Sequence, residues 1–255
     1  MSTQRRSKTE PTELPRFLPS VTTHTRTSSR WRDKVAEISP LGLREVALFL
    51  TGVSQDERAN VFEALERVRR EHLFSIPFVH AVADMREEEY RYLMELFQTR
   101  RFNLHPVSQY PLQVSLSVFI RKHISIENAS ITRALSMDDL DGFNGICLDL
   151  SHLEDLRRSE PAEYEKMRAL LSQVPVHANH LSAILHEQQV DSKGCLTYHS
   201  HVYSPAGDLS YIAAFPSSYF GNVCALELEN SLSEQVALIP MIRNALAQVR
   251  EPLAA

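Results

Sequence analysis

Eight short β-rich runs follow one another along this sequence, most of them separated by stretches of helical periodicity, and no other feature constrains the fold as strongly. The predicted strands are Glu45–Thr51, Ile76–Ala81, Phe102–Pro106, Ile124–Asn128, Gly145–Leu150, Val174–Leu181, Leu196–Val202 and Val223–Asn230. Predicted helices include Ser54–Glu71, Arg86–Thr99, Pro161–Gln173 and Leu232–Gln248. Ser54 with Glu57 offers a capping box to the first of these. Pro161, beside Glu160 and Glu163, suits the opening turn of another. The segment from Gln109 to Lys122 is less regular, because QVSLSVFI alternates like a strand. Strands in βα order build a parallel sheet, and eight of them close into a barrel. The competing open, doubly wound sheet normally announces itself with a glycine-rich first turn. The seven glycines here form no GxGxxG, GxxxxGK[ST] or GxSxG. The expected fold is a single (β/α)8 TIM barrel.

Charge divides the chain unevenly. Residues 1–32 carry seven basic residues against Glu10 and Glu13, a net of +5, so the remainder carries −10 of the overall −5. This head is rich in Ser, Thr and Pro and lacks apolar periodicity. It reads as a flexible basic tail outside the barrel, with 33–255 as the barrel itself. An acidic body disfavours a nucleic-acid partner, since phosphate affinity comes mostly from Lys and Arg. No apolar run approaches the ~20 residues of a membrane helix. Three cysteines without a CxxC pair give neither a disulfide framework nor a zinc ribbon, and point to a reducing, cytoplasmic setting.

Eleven histidines are unusual for this length, and their positions matter more than their number. In a TIM barrel the chemistry sits at the C-terminal ends of the strands. Those ends read His80, His105, Glu127, then Asp149 with His152, His177 with His180, His199 with His201, and Glu227 with Glu229. Buried carboxylates and imidazoles converging on one mouth need something to neutralise them. Divalent cations do so, and mixed imidazole and carboxylate donors suit Zn, Mn or Fe, from one to three ions, rather than calcium. His199 and His201 share a strand face, as do Glu227 and Glu229, the second of which has the alternative reading of a rim or salt-bridge residue. His177 and His180 differ in parity, so only one of them faces the mouth. Read as a crowded anionic mouth, the site should tolerate Glu127→Ala in the metal-free fold, because repulsion is relieved.

The segments IENAS, CLDLSH, NHLSA, HVYSPAGDLS and LELEN resemble the xylose-isomerase-like barrel superfamily, which includes sugar-phosphate isomerases and epimerases and the endonuclease IV type of abasic-site endonuclease. The resemblance spans about residues 76–230. It implies a shared core of Glu127, Asp149, His180 and Glu227. The endonuclease branch implies further metal ligands at His80, His105, His152, His199 and His201 for a three-metal cluster. His199 stands where that branch has aspartate.

Two enzyme classes and one alternative follow. A multinuclear hydrolase would act on a phosphoester or phosphodiester with all nine residues (His80, His105, Glu127, Asp149, His152, His180, His199, His201 and Glu227) holding ions. A sugar or sugar-phosphate isomerase or epimerase would use one ion, with Glu127 and Glu227 moving the proton. In either, Glu127 and Glu227 are the expected catalytic pair, and a small sugar or phosphoester is the expected substrate. A non-catalytic metal-binding barrel is the third reading.

Overall fold

The computed structural model describes residues 14–23, 30–191 and 194–247. Its elements run β1 (Arg16–Leu18), β2 (Ser20–Thr22), α1 (Trp31–Glu37), β3 (Glu45–Phe49), α2 (Gln55–Glu71), β4 (Ser75–His80), α3 (Glu87–Phe97), β5 (Arg101–Leu104), α4 (Val118–Arg121), β6 (Ile124–Glu127), β7 (Ile146–Asp149), α5 (Leu150–Ser159), α6 (Pro161–Leu171), β8 (Val176–Leu181), β9 (Ala183–Val190), β10 (Leu196–Ser200), β11 (Gly207–Asp208), β12 (Val223–Leu226) and α7 (Leu232–Ala247). A parallel sheet is ordered β1-β12-β8-β7-β6-β5-β4-β3-β2. Its two ends, β1 and β2, are consecutive stretches of one extended segment broken only at Pro19. Residues 16–22 therefore close an eight-membered barrel, pairing with β12 through β1 and with β3 through β2.

This corrects the boundary drawn at residue 32. Arg16–Thr22 is a barrel strand and not part of an external tail. Basic and Ser/Thr-rich surroundings hid it, because only Phe17, Leu18 and Val21 carry its apolar signal, and all three are buried. Residues 1–13 and 24–29 of the expected tail lie outside the described residues, and Trp31 and Arg32 open α1. The second correction concerns Leu196–Val202. That segment is not a barrel strand. Residues 196–200 form β10, which pairs antiparallel with β9 in a separate sheet ordered β10-β9-β11, inserted between barrel strands β8 and β12. The expected eight strands thus held one from the insertion and lacked the first. QVSLSVFI is likewise not a strand, since it runs through loop into the short helix α4, with Ser117 accepting from Ile120 N–H as its N-cap.

Ring closure at Pro19 needs help, because backbone pairing to β12 stops at Leu18. Side chains take over. Ser20 Oγ donates to Leu226 O and Thr22 Oγ1 donates to Leu228 O. The buried amide of Gln235, on α7, accepts from Ser20 N–H at 2.7 Å and donates to the carbonyls of Ser20, Leu228 and Asn230 at 2.8–3.1 Å. It occupies the place of a missing strand neighbour, satisfying polar backbone that would otherwise be buried unpaired.

Period-two alternation sorts each strand into a helix-facing and a lumen-facing set. Val79, Ile126, Leu148 and Leu226 join the large core under the helices. A separate inner cluster of Leu18, Ala47, Phe49, Phe78, Cys147, Ala178, Val223 and Ala225 fills the lumen. Two phenylalanines occupy the space that the small residues leave. One step further along the same faces come His80, Glu127, Asp149, His180 and Glu227, each two residues beyond Phe78, Ser125, Cys147, Ala178 and Ala225. The lumen floor and the polar mouth are successive layers of one pattern.

A chain starting at residue 24 should show no cooperative thermal transition by circular dichroism. It loses three buried side chains worth about 1.5–3 kcal/mol each, against a typical domain stability of about 5–15 kcal/mol. An intact transition would show that residues 16–22 are dispensable to the barrel.

Candidate metal centre

Glu127 ends β6 at the centre of the mouth and is almost wholly buried. Asn103 Nδ2, from the end of β5, donates to its Oε2 at 2.7 Å. His80 Nε2 lies 2.9 Å from the same oxygen, and His180 Nδ1 lies 3.3 Å from it and 3.2 Å from Glu227 Oε2. His105 Nε2 and His152 Nδ1 each stand 3.9 Å from the other oxygen, Oε1. Phe49 and Phe78 lie against the His180 ring at 4.9 and 5.5 Å, forming an apolar floor that excludes water from below.

Two sets of donor atoms converge. His80, His105 and Glu127 form one; Glu127, Asp149, His180 and Glu227 form the other; within each set the atoms lie within 4.8 Å of one another. Two ligands of one ion at 2.0–2.2 Å stand at most about 4.4 Å apart, so small contractions would let each set close on an ion. Glu127 belongs to both. The remaining three expected residues sit beside these sets. His152 is in the first turn of α5, and its ring centroid is 4.7 Å from that of His199, which is 5.3 Å from that of His201.

The donors fit divalent ions on the chemistry of what they leave unpaired. Asp149 Oδ1 accepts from Ser151 N–H, Ser151 Oγ and His152 N–H, while its buried Oδ2 has no hydrogen-bond partner. Both nitrogens of His180 and Nε2 of His201 are buried without one. Three rings are fixed through Nδ1: His80 to the Ala81 carbonyl, His152 to the Asn128 carbonyl and His199 to the Asp155 carboxylate. In a neutral imidazole, the form that ligates a metal, a ring nitrogen facing such an acceptor donates, which leaves Nε2 with its lone pair. For His80 that lone pair faces the Glu127 carboxylate at 2.9 Å. Two acceptors at that distance repel each other unless a cation or a proton lies between them. This arrangement of outer partners is the one that ligating histidines generally show.

Sequence reading missed Asp155 and Asn103. Asp155 accepts from Thr197 Oγ1 and His199 Nδ1, and from the backbone N–H groups of Tyr198 and His199, at 2.7–3.1 Å, clamping the inserted β10 onto the mouth. The spacing Asp149, His152, Asp155 on one helical face was the available signal. Two other candidates point elsewhere. Glu229 is buried beside Lys34 of α1, whose ammonium it helps to hold charged against burial. Of the two readings of Glu229, the charge partner and not the shared strand face with Glu227 is the one that agrees with this, since the strand ends at Leu226. His177 sits near the start of β8 beside Arg101, at the opposite end of the barrel, which settles the parity question for His180.

Charges in the metal-free mouth balance one another. Burial would raise the Glu127 carboxyl, but His180, His80 and His105 outweigh it and hold it well below the ordinary range. Glu227 is brought down to about 2 in the same way, its burial overcome by His180 and His201. Burial would lower His180, yet Cys147 and Glu127 raise it well above 6.5. His152 is raised too, as Asp149 and Glu127 outweigh its burial. Burial pushes His201 down, and takes His105 down to about 4 even though 30% of that side chain remains open. The mouth is thus a network of opposite charges, not a crowd of anions.

That overturns the expectation for Glu127→Ala. The substitution should destabilise the metal-free protein, because it strands Asn103 Nδ2 and the raised imidazole of His180, at about 1–3 kcal/mol per buried orphan. Urea denaturation of the metal-free protein measures it, and a change under about 0.5 kcal/mol, the size of an ordinary surface substitution, would refute it. Metal uptake should release protons near neutral pH, since a ligating imidazole must be neutral and burial is outweighed at both His180 and His152, whose imidazoles are raised. The apparent affinity should therefore rise with pH through neutrality. Calorimetric titration in two buffers of different ionisation enthalpy reads the protons directly.

No protein-family model matches the chain, and no curated protein matches it. Solved structures similar in shape include a xylose isomerase-like TIM barrel protein from Mycobacterium smegmatis in complex with magnesium, at 12% identity and TM-score 0.49, covering 90% of this chain and 97% of that one. N-acetylneuraminate lyase from Mycoplasma synoviae matches at 8% and 0.43, covering 91% and 77%. Endonuclease IV from Thermus thermophilus matches at 16% and 0.41, covering 92% and 100%. No helix among the described residues is long and apolar enough to cross a membrane.

Proposed function

We propose that the protein is a divalent-metal-dependent phosphoester hydrolase with a multinuclear centre at the barrel mouth. The observation that carries this reading is that one buried carboxylate, Glu127, belongs to both sets of converging donors. A single-ion isomerase needs only Glu127, Asp149, His180 and Glu227 and would leave His80 and His105 as substrate contacts, a role that does not require them to close a second donor set on the same carboxylate. We assign His80, His105 and Glu127 to one ion and Glu127, Asp149, His180 and Glu227 to another. His152, His199 and His201 are assigned to a third. Neutral imidazoles with carboxylates favour zinc, manganese or iron.

Bound ions would supply positive charge to the phosphate oxygens and acidify a water molecule at the site. The protein's own contribution is positional. Asn103 fixes Glu127, Asp155 and the Asn128 carbonyl fix the rings of His199 and His152, and the phenylalanine floor keeps water from approaching beneath. A small phosphoester fits this reading better than a nucleic acid gripped over a broad surface, given the net charge of −5.

Metal analysis of protein purified without added ions should find more than one ion per chain. His105→Ala should lower that number while sparing the ion assigned to Asp149, His180 and Glu227. One ion per chain, unchanged by His105→Ala, would make the single-ion isomerase the better reading.

A further inference from the structure

Beside His80 and His105 lies a cavity of about 300 Å³, set between the loops that follow β4 and β5. Those loops are tied together where Gln113 N–H donates to the Ala83 carbonyl at 2.9 Å. The β5 loop is folded by a turn in which the N–H groups of Gln109 and Tyr110 both reach the Pro106 carbonyl at 2.9 Å. This turn brings the Tyr110 ring to 4.8 Å from the His105 ring, tilted by 50°, with 39% of the residue still exposed. The cavity and the first donor set share His80 and His105, so a substrate held at that set has the cavity as its nearest recess.

The walls say what kind of group fits. Val82, Leu104 and Leu112 supply apolar surface, and Tyr110 supplies an aromatic wall. Thr51 and Gln113 are the neutral polar side chains. The charged one is Asp84, which is paired with the buried guanidinium of Arg58 at 3.0 Å. Among the described residues, no Lys or Arg lines it. A second phosphate or a carboxylate would meet no cation among them and one anion, and recognition of such groups generally needs Arg or Lys. A polyol would bury hydroxyls with few partners, at a cost. A volume at the bottom of the usual range for ligand sites holds one ring and not two.

We propose that this cavity receives an uncharged aromatic substituent of the phosphoester substrate, with Tyr110 as the residue that selects it. The inference rests on the phosphoester reading and narrows it, from phosphoesters in general to aryl or similarly ring-bearing ones. It also sets the chain apart from enzymes of sugar phosphates, whose substrates are polar at both ends.

The test is calorimetric binding of phenylphosphonate and methylphosphonate to the metal-loaded full chain. The two probes present the same anionic head and differ only in the ring. Phenylphosphonate should bind about tenfold or more tighter, the return expected from burying one ring. Tyr110→Ala should bring the two within about threefold of each other, with metal content unchanged. Tyr110→Phe should keep the preference, since the ring and not the hydroxyl selects. Equal binding of both probes to the unaltered protein would overturn the inference and leave the phosphoester reading standing. A preference that survives Tyr110→Ala would also overturn it. Binding of neither probe would remove the phosphoester reading, and this inference with it.

Discussion

Burying a carboxylate at the mouth of a closed barrel sets the terms for much of this structure. Glu127 cannot keep its charge there without compensation, since an isolated buried ion costs several kcal/mol. Four imidazoles and one amide surround it: His80 from β4, Asn103 from β5, His105 just beyond β5, His152 from the first turn of α5 and His180 from β8. Their placement requires strands in register around a ring, because each side chain reaches only a few ångströms. The rings in turn need fixed orientations, which explains why backbone carbonyls and Asp155 occupy the far nitrogens of His80, His152 and His199.

Ring closure is the condition for that register. The weak point is the strand broken at Pro19, and three devices mend it: the Ser20 and Thr22 hydroxyls, the Gln235 amide, and Lys34, whose ammonium donates to the Leu228 carbonyl at 2.9 Å and to Thr22 Oγ1. Burial lowers Lys34 to about 8, with Glu229 opposing the shift. These groups lie beneath the segment that carries Glu227, so the same contacts that seal the barrel also set one wall of the mouth. Stability and site geometry are coupled at this seam.

The inserted sheet of β9, β10 and β11 adds what the barrel strands do not. It brings His199 and His201 over the mouth from outside the ring, and Asp155 on α5 fastens it there. An imidazole at position 199, backed by the Asp155 carboxylate, keeps a negative charge near that corner without offering it directly. The mouth therefore combines a half built on strand ends with an attached half that Asp155, among other contacts, fastens to it.

The sequence by itself determined the barrel class, seven of its eight strands and the set of polar residues at their ends. Period-two alternation is local, and pairs such as Phe78 with His80 or Cys147 with Asp149 display it within a few residues. Helix boundaries at Ser54 and Pro161 were legible for the same reason, since caps are local chemistry. Only the tertiary structure decided the rest. Arg16–Thr22 becomes a strand because β3 and β12 flank it, and its own composition says otherwise. Leu196–Ser200 looks like a barrel strand yet pairs with β9, because strand propensity does not specify a partner. Which carboxylate lies between two sets of donors, and which of His177 and His180 faces the mouth, depends on register between strands distant in sequence. No local pattern encodes that register; the packing of the closed ring does.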